Sequence, residues 1–255
     1  LAFLLGDAGL TEKAHRWIGY IVDHQREDGW IGPEEQQVQQ AAHKRDPWPL
    51  FVALKAMTQY VEATGDDRVL ASVARTVWAI DRELDRNPLG TWAHFRWQDL
   101  LITLIWLAEH GEDADRLGRI AGRIHDEGYD WDAHFRAFRF EHAADRWQFD
   151  SHVVNNAMGI KAPGLWSSLT GAGFDPFGPI EVLDRYHGQA TGVFSGDECL
   201  AGRHPSRGTE LCAVVEYMYS LATLLSVYPD VRLSDRLERI TCNALPATLT
   251  PDMWA

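Results

Sequence analysis

The sequence predicts an all-α protein assembled from helical hairpins, and three observations carry that expectation. Nearly every segment spaces its apolar residues at helical intervals. The turns ATGDD, EHGED, LTGAG and SVYPD recur at intervals of roughly 45–60 residues. Each of these turns separates a helix that reads as more buried from one that reads as more exposed. Hairpins of this kind stack because one hairpin cannot bury its own apolar face. Periodicity alone leaves two outcomes open, a superhelix or a closed ring of helix pairs.

Taken in order, Leu10 to Asp23 is the first clear helix, with Ala14, Trp17, Ile18 and Ile21 on one face. It runs into HQREDGWIGPE, a loop marked by glycine and proline. Trp48 to Ala63 is apolar nearly all round its first half, so it must be covered on all sides. ATGDD stops that helix and supplies a cap for Arg68 to Leu84, which NPLG ends. Arg96 to Glu109 is again rich in large apolar residues, and HGEDAD turns the chain into Arg116–His125. Positions 126–150 read as acidic, aromatic and irregular. His152 to Leu169 reads as one buried helix, broken by LTGAGFDPFGP, and Pro179–His187 is short. A helix from Leu211, with Thr209 as its cap, and a last one over Asp235–Ala244 complete the chain. This makes four hairpins and a partial one in a single domain over residues 1–255, with no linker to divide it.

Composition narrows the function. An apolar content of 45% with 24% charged residues is ordinary for a globular domain, and 255 residues bury roughly 70–75% of the unfolded surface. A net charge of −13 argues against nucleic-acid partners and against an anionic membrane surface. No run of 18 apolar residues exists to span a membrane. LAFLLGDAGL is short and lacks a basic flank, so it does not read as a signal peptide; the expectation is a soluble protein of undetermined compartment. Three separated cysteines do not make a disulfide framework.

The chemical interest lies in VFSGDECLAGRHPSRGTELCAVVEY, residues 193–217, where an irregular glycine-marked loop becomes a helix. A thiol at Cys212, in the first turn, faces the positive end of the helix. With Glu210 it forms a plausible zinc half-site, since zinc accepts both sulfur and oxygen. Residues two apart on a continuous helix diverge by about 200°. Both therefore reach one metal only if the helix begins after Glu210. The competing account makes Cys212 a small buried hydrophobe and Glu210 a first-turn acid. Glu198 beside Asp197 is a carboxylate pair suited to general acid work, or simply a solvated acidic loop. His152, Asn155 and Asn156 share one helix face. They suit the polar groups of a ligand, or else form a capping cluster with Ser151 as the cap. Arg96 and Asp99 pair with each other or face a pocket, and His187 ends a helix. Trp48 and Trp97 are candidates for stacking on a ligand ring or for core filling. Cys199 and Cys242 read as structural.

GTELCAVVEY, with SGDE upstream and ERITCNALPATLTPDMWA downstream, resembles the β-L-arabinofuranosidase-like glycoside hydrolases of family 127 and its relatives. DGWIGPE at 28–34, DPWPLFVALKAM at 46–57, SHVVNNAMGIKAP at 151–163 and DRYHGQATGVFSGDE at 184–198 match in the same order. The resemblance implies an (α/α) toroid, of which this chain is an incomplete, C-terminally truncated part. It implies a carbohydrate substrate and retaining hydrolysis by a cysteine thiolate. Zinc would be held by a Glu-x-Cys pair and two adjacent cysteines, and a separate upstream glutamate would be the acid/base. Glu210 and Cys212 match the Glu-x-Cys pair as metal ligands, and Glu198 matches the catalytic acid. His152, Asn155, Asn156, Arg96, Asp99 and His187 are the substrate-binding candidates. The adjacent cysteines do not occur in these 255 residues, so the nucleophile is expected beyond them and the polypeptide itself to be inactive. Two rivals stand beside this reading. One is another toroid carbohydrate enzyme, an epimerase or polysaccharide lyase, with His152 and His187 as acid and base. The other is a non-catalytic helical-repeat binding protein.

Overall fold

A computed structural model describes residues 1–32 and 46–252. Pro33 and Glu34 of the DGWIGPE segment, and Met253 to Ala255, lie outside the described residues. Among the described residues the regular secondary structure is helical, as the sequence predicts, apart from one antiparallel ladder of two-residue strands. Packing divides them into two compact units, Leu1–Gly128 and Tyr129–Ala255.

The first unit holds α1 (Ala2–Leu5), α2 (Ala8–Asp23), α3 (Trp48–Thr64), α4 (Asp67–Leu84), α5 (Thr91–Phe95), α6 (Trp97–Glu109) and α7 (Ala114–Glu127). α3 packs against both α4 and α6, and α6 packs against α7. α3 buries Leu50, Phe51, Leu54, Met57 and Val61. Each contributes about 1.5–3 kcal/mol through the surface it removes from water. The turns follow the sequence expectation. Gly65 takes a left-handed conformation at φ 67°, and Asp66 then caps α4 by accepting from Arg68 N–H. Asp113 caps α7 in the same way.

The second unit holds α8 (Trp131–Arg136), α9 (Val153–Gly159), α10 (Ala162–Thr170), α11 (Gly178–His187), β1 (Gly196–Asp197), β2 (Cys199–Leu200), α12 (Leu211–Val227) and α13 (Val231–Ala247). α12 packs on α9, α10 and α13. Three sequence expectations need correction here. The stretch 126–150 is not irregular throughout, because Asp130 caps α8 by accepting from Ala133 N–H and buries Trp131, His134 and Phe135 at helical spacing. His152 to Leu169 is two helices. Pro163 cannot donate to the carbonyl of Gly159 and its ring would clash there, so α9 ends and α10 restarts with the proline in its first turn. Thr209 does not cap α12. Its hydroxyl donates to Phe194 O at 2.9 Å, and Glu210 takes the N-cap position.

Candidate active site

The ladder β1–β2 and the two segments that flank it position the candidates of the second unit. Gly196 pairs with Leu200 and Asp197 with Cys199, so Glu198 alone makes the turn. It does so at φ 63°, a left-handed conformation that a non-glycine residue occupies at a cost of about 1–3 kcal/mol. Two neighbours hold it there. On one side Glu198 O accepts from Val153 N–H at 3.0 Å, Leu200 N–H donates to Ser151 O at 3.0 Å, and His152 bridges Cys199. On the other, Gly196 N–H donates to Gly208 O and Glu210 N–H donates to Gly196 O, each at 3.0 Å. Gly196 must be glycine: a Cβ there would lie 2.5 Å from Val153 Cγ2 and 2.8 Å from Cys199 O. The start of α9, the Glu198 turn and the start of α12 are thereby laced into one backbone assembly.

His152 is the N-cap of α9, and its Nδ1 accepts from Asn155 N–H at 3.3 Å. In the neutral imidazole this leaves the proton on Nε2. Nε2 lies 3.5 Å from Glu198 Oε2. The imidazole is almost wholly buried, whereas the Glu198 side chain is 66% exposed. A buried group thus addresses a carboxylate that is open to a ligand.

Asn155 and Asn156 are fully buried beneath this surface. Asn155 Nδ2 donates to Phe149 O at 2.8 Å. Asn156 Nδ2 donates to Asp150 O and His152 O, and its Oδ1 accepts from His134 Nε2 at 3.0 Å. His134 Nδ1 then accepts from the Tyr129 hydroxyl, also at 3.0 Å. Burial pushes the His134 pKa down, which keeps that arrangement neutral, and burial followed by the Asp150 charge raises Tyr129 to about 12. The amide of Asn156 is spent on backbone and His134, so its contribution to the site is to hold His152 in place.

His187 is also fully buried. Its Nε2–H donates to Phe140 O at 2.6 Å and its Nδ1 accepts from Gly202 N–H at 2.9 Å. Burial lowers its pKa. It ties the end of the Glu198 loop to the segment before α9, with both ring nitrogens committed to backbone.

α12 begins at Leu211, and Glu210 is extended at φ −66° and ψ 148°. This meets the condition under which Glu210 and Cys212 can turn toward one ion. The donor chemistry of the pair, one carboxylate and one exposed thiol, fits half of a tetrahedral zinc set. Among the described residues no group of three or more His, Cys, Asp and Glu side chains is gathered for a metal. Cys199 is half-buried in the ladder. Burial, and then the charges of Glu198, Asp197 and Glu210, push its thiol pKa up against a hydrogen bond with Ser151 that lowers it. Cys242 is exposed on α13.

In the first unit, Asp99 is fully buried on α6 and accepts from Lys55 Nζ at 2.7 Å. Arg96 caps α6 and lies over the rings of Trp48 and Trp92, 4.5 and 4.3 Å from their centroids. Trp97 is buried against His125 and fills core. Trp92, His134 and Trp147 are functional candidates that sequence reasoning missed. His134 carried a readable signal, since it falls three residues after Trp131 on a helix capped by Asp130.

The all-α fold of helical hairpins has counterparts of the (α/α)-toroid class among solved structures. Two solved structures share the fold over nearly the whole chain. One is a GH127 β-L-arabinofuranosidase from Geobacillus stearothermophilus T6, with a TM-score of 0.63 and 16% identity over 97% of this chain. The other is a GH127 β-arabinofuranosidase, with a TM-score of 0.59 and 16% identity over 96% of this chain. The chain spans 44% and 42% of the lengths of those proteins. The sequence matches no protein-family model and no curated protein.

Proposed function

We propose that the chain is part of a glycoside hydrolase of the β-L-arabinofuranosidase-like group, with Glu198 as its catalytic acid/base. The observation that carries this reading is Glu198 itself. It is strained, solvent-open, addressed by His152 and laced to the Glu210–Cys212 helix start, in a fold shared with two GH127 enzymes. An outlier of this kind is retained where the surrounding structure over-determines it for a purpose.

In the proposed reaction Glu198 protonates the leaving oxygen as a thiolate attacks the anomeric carbon. It then takes a proton from the water that releases the sugar, with retention of configuration. His152 Nε2–H steadies the carboxylate between these two proton transfers. Glu210 and Cys212 are proposed to hold zinc together with cysteines outside these residues; zinc, when bound, keeps a thiol ionised and placed. Arg96, stacked on Trp48 and Trp92, and Asp99, fully buried and paired with Lys55, are proposed to shape the start of α6. Asn155, Asn156 and His187 are proposed to act by keeping His152 and the Glu198 loop in position. An acid/base pair of His152 and His187 is poorly supported, since both nitrogens of His187 are engaged by backbone.

The test is hydrolysis of an aryl β-L-arabinofuranoside by the full gene product, with the product anomer followed by NMR. Glu198→Gln should lower kcat by a factor on the order of 10²–10⁴. An unchanged rate in that variant, or net inversion, would overturn the reading.

A further inference from the structure

The turn that precedes α9 carries an aromatic residue that the proposed chemistry leaves unused. Trp147 is 40% exposed, among the larger apolar surfaces on the second unit. It is not on a loose loop. The fully buried Ser151 accepts from Gln148 N–H at 2.9 Å, and its hydroxyl reaches the carbonyls of Arg146 and Gln148. Ser151 N–H and His152 N–H both donate to Gln148 O, at 3.1 and 2.9 Å. Arg139 binds the side chains of Gln148 and Asp150, and Ala144 N–H donates to Leu200 O at 2.8 Å. The indole packs at steep angles against Phe149, 4.8 Å between centroids, and against His152, 5.9 Å between centroids. That same His152 ring addresses Glu198. A rigid indole held open to water one residue away from an open carboxylate is a preorganised stacking surface.

We infer that Trp147 is the platform for a neutral sugar ring bound beside Glu198. This rests on the reading of Glu198 as the acid. An indole offers an apolar surface to the C–H face of a sugar, while Glu198 reaches the hydroxyl and glycosidic oxygens at the ring edge. Trp147 packs on the same His152 ring that addresses Glu198, and both residues are open to solvent. Asp197 and Glu198 crowd the same turn, so a sugar that carries a carboxylate is disfavoured there.

The experiment is calorimetric titration of the full gene product, and of its Trp147→Ala, Trp147→Phe and Glu198→Gln variants, with two probes, alongside the hydrolysis assay. One is a neutral disaccharide of β-linked L-arabinofuranose; the other is a disaccharide of galacturonic acid. Trp147→Ala should weaken neutral binding about tenfold, and Trp147→Phe should keep it within about threefold, as aromatic stacking predicts. Trp147→Phe keeps the packing on Phe149 and His152 and should leave the thermal midpoint unchanged, while Trp147→Ala, which loses it, is titrated below its own midpoint. The acidic disaccharide should bind more weakly to every form. Unchanged affinity in Trp147→Ala, equal losses in the Ala and Phe variants, preference for the acidic sugar, or no binding at all would each overturn the inference. The two readings fail separately. If Glu198→Gln abolishes hydrolysis while Trp147→Ala binds normally, only the platform is lost. If Trp147 governs binding while Glu198→Gln hydrolyses normally, only the acid is lost.

Discussion

His152 Nε2 stands 3.5 Å from Glu198 Oε2, although the two residues are 46 positions apart in sequence. Backbone brings them together. The first N–H of α9 is spent on the carbonyl of Glu198, and the bridge between His152 and Cys199 fixes the register. The side-chain contact then inherits its geometry from the ladder. Because His152 Nδ1 caps its own helix, the remaining ring proton faces the carboxylate. Protonation of the imidazole would turn the contact into an ion pair.

Glu198 should display a trade between stability and activity. Replacing it by glycine relieves a left-handed backbone and should stabilise the protein by about 1 kcal/mol. The same change removes the proposed acid. Urea unfolding alongside the hydrolysis assay checks both effects; a destabilised Glu198→Gly protein would show that the turn is not strained.

Gly196→Ala should be costly for a related reason. The added methyl would meet Val153 Cγ2 and Cβ at 2.5 and 2.6 Å and the Cys199 carbonyl at 2.8 Å. Val153 is fully buried, so neither wall can move freely. The expected loss is about 1–3 kcal/mol, read from the shift in denaturation midpoint. Activity should fall as well, since the same contact sets the Glu198 turn.

Acidification should weaken the fold before the carboxylates titrate. Burial depresses the pKa values of His134 and His187 below the ordinary 6.5, so the unfolded chain binds more protons than the native one as pH drops through that value. Stability is therefore full above pH 6.5 and declines as pH falls toward the native pKa values. The decline is at most about 1.4 kcal/mol per pH unit for each histidine. Denaturation curves between pH 7.5 and 5.5 measure it, and His187→Gln should flatten the slope. A flat wild-type profile would contradict the assignment of buried neutral rings.

Helical periodicity made the fold class legible because each buried face repeats within one segment, and the glycine–aspartate turns announced their caps at Asp66 and Asp113. The break between α9 and α10 was also written in the sequence, at Pro163, but the apolar run on either side masked it. The site was only partly legible. Glu198, Glu210 and Cys212 stood out by residue type and by resemblance. The contact between His152 and Glu198, and the commitment of Asn156 to His134, depend on backbone pairing between distant segments. No local pattern encodes that pairing. Trp147 was hidden for a different reason, since among eleven tryptophans only exposure and a rigid turn distinguish it.

Zinc affinity gives the sharpest test of the Glu210–Cys212 pair. Zinc in a protein generally needs four donors, or three and a water. Residues 1–255 include three cysteines, none adjacent to another, and no triad of metal-binding side chains is gathered among the described residues. Two donors from one helix start should hold zinc too weakly to survive dialysis against a chelator. The 255-residue polypeptide should likewise show no hydrolysis of an aryl β-L-arabinofuranoside. Cys199 is a poor substitute nucleophile because burial disfavours its thiolate, and loss of a nucleophile costs many orders of magnitude in rate. A longer gene product that supplies adjacent cysteines should retain about one zinc per chain, and Cys212→Ser should release it. Zinc measured by atomic absorption in both proteins, before and after the chelator, decides the matter. Stoichiometric zinc in the 255-residue polypeptide would mean that the ligand set is complete within it. Metal-independent hydrolysis lost with His152 but not with Cys212 would move the chemistry from the thiolate to the histidine.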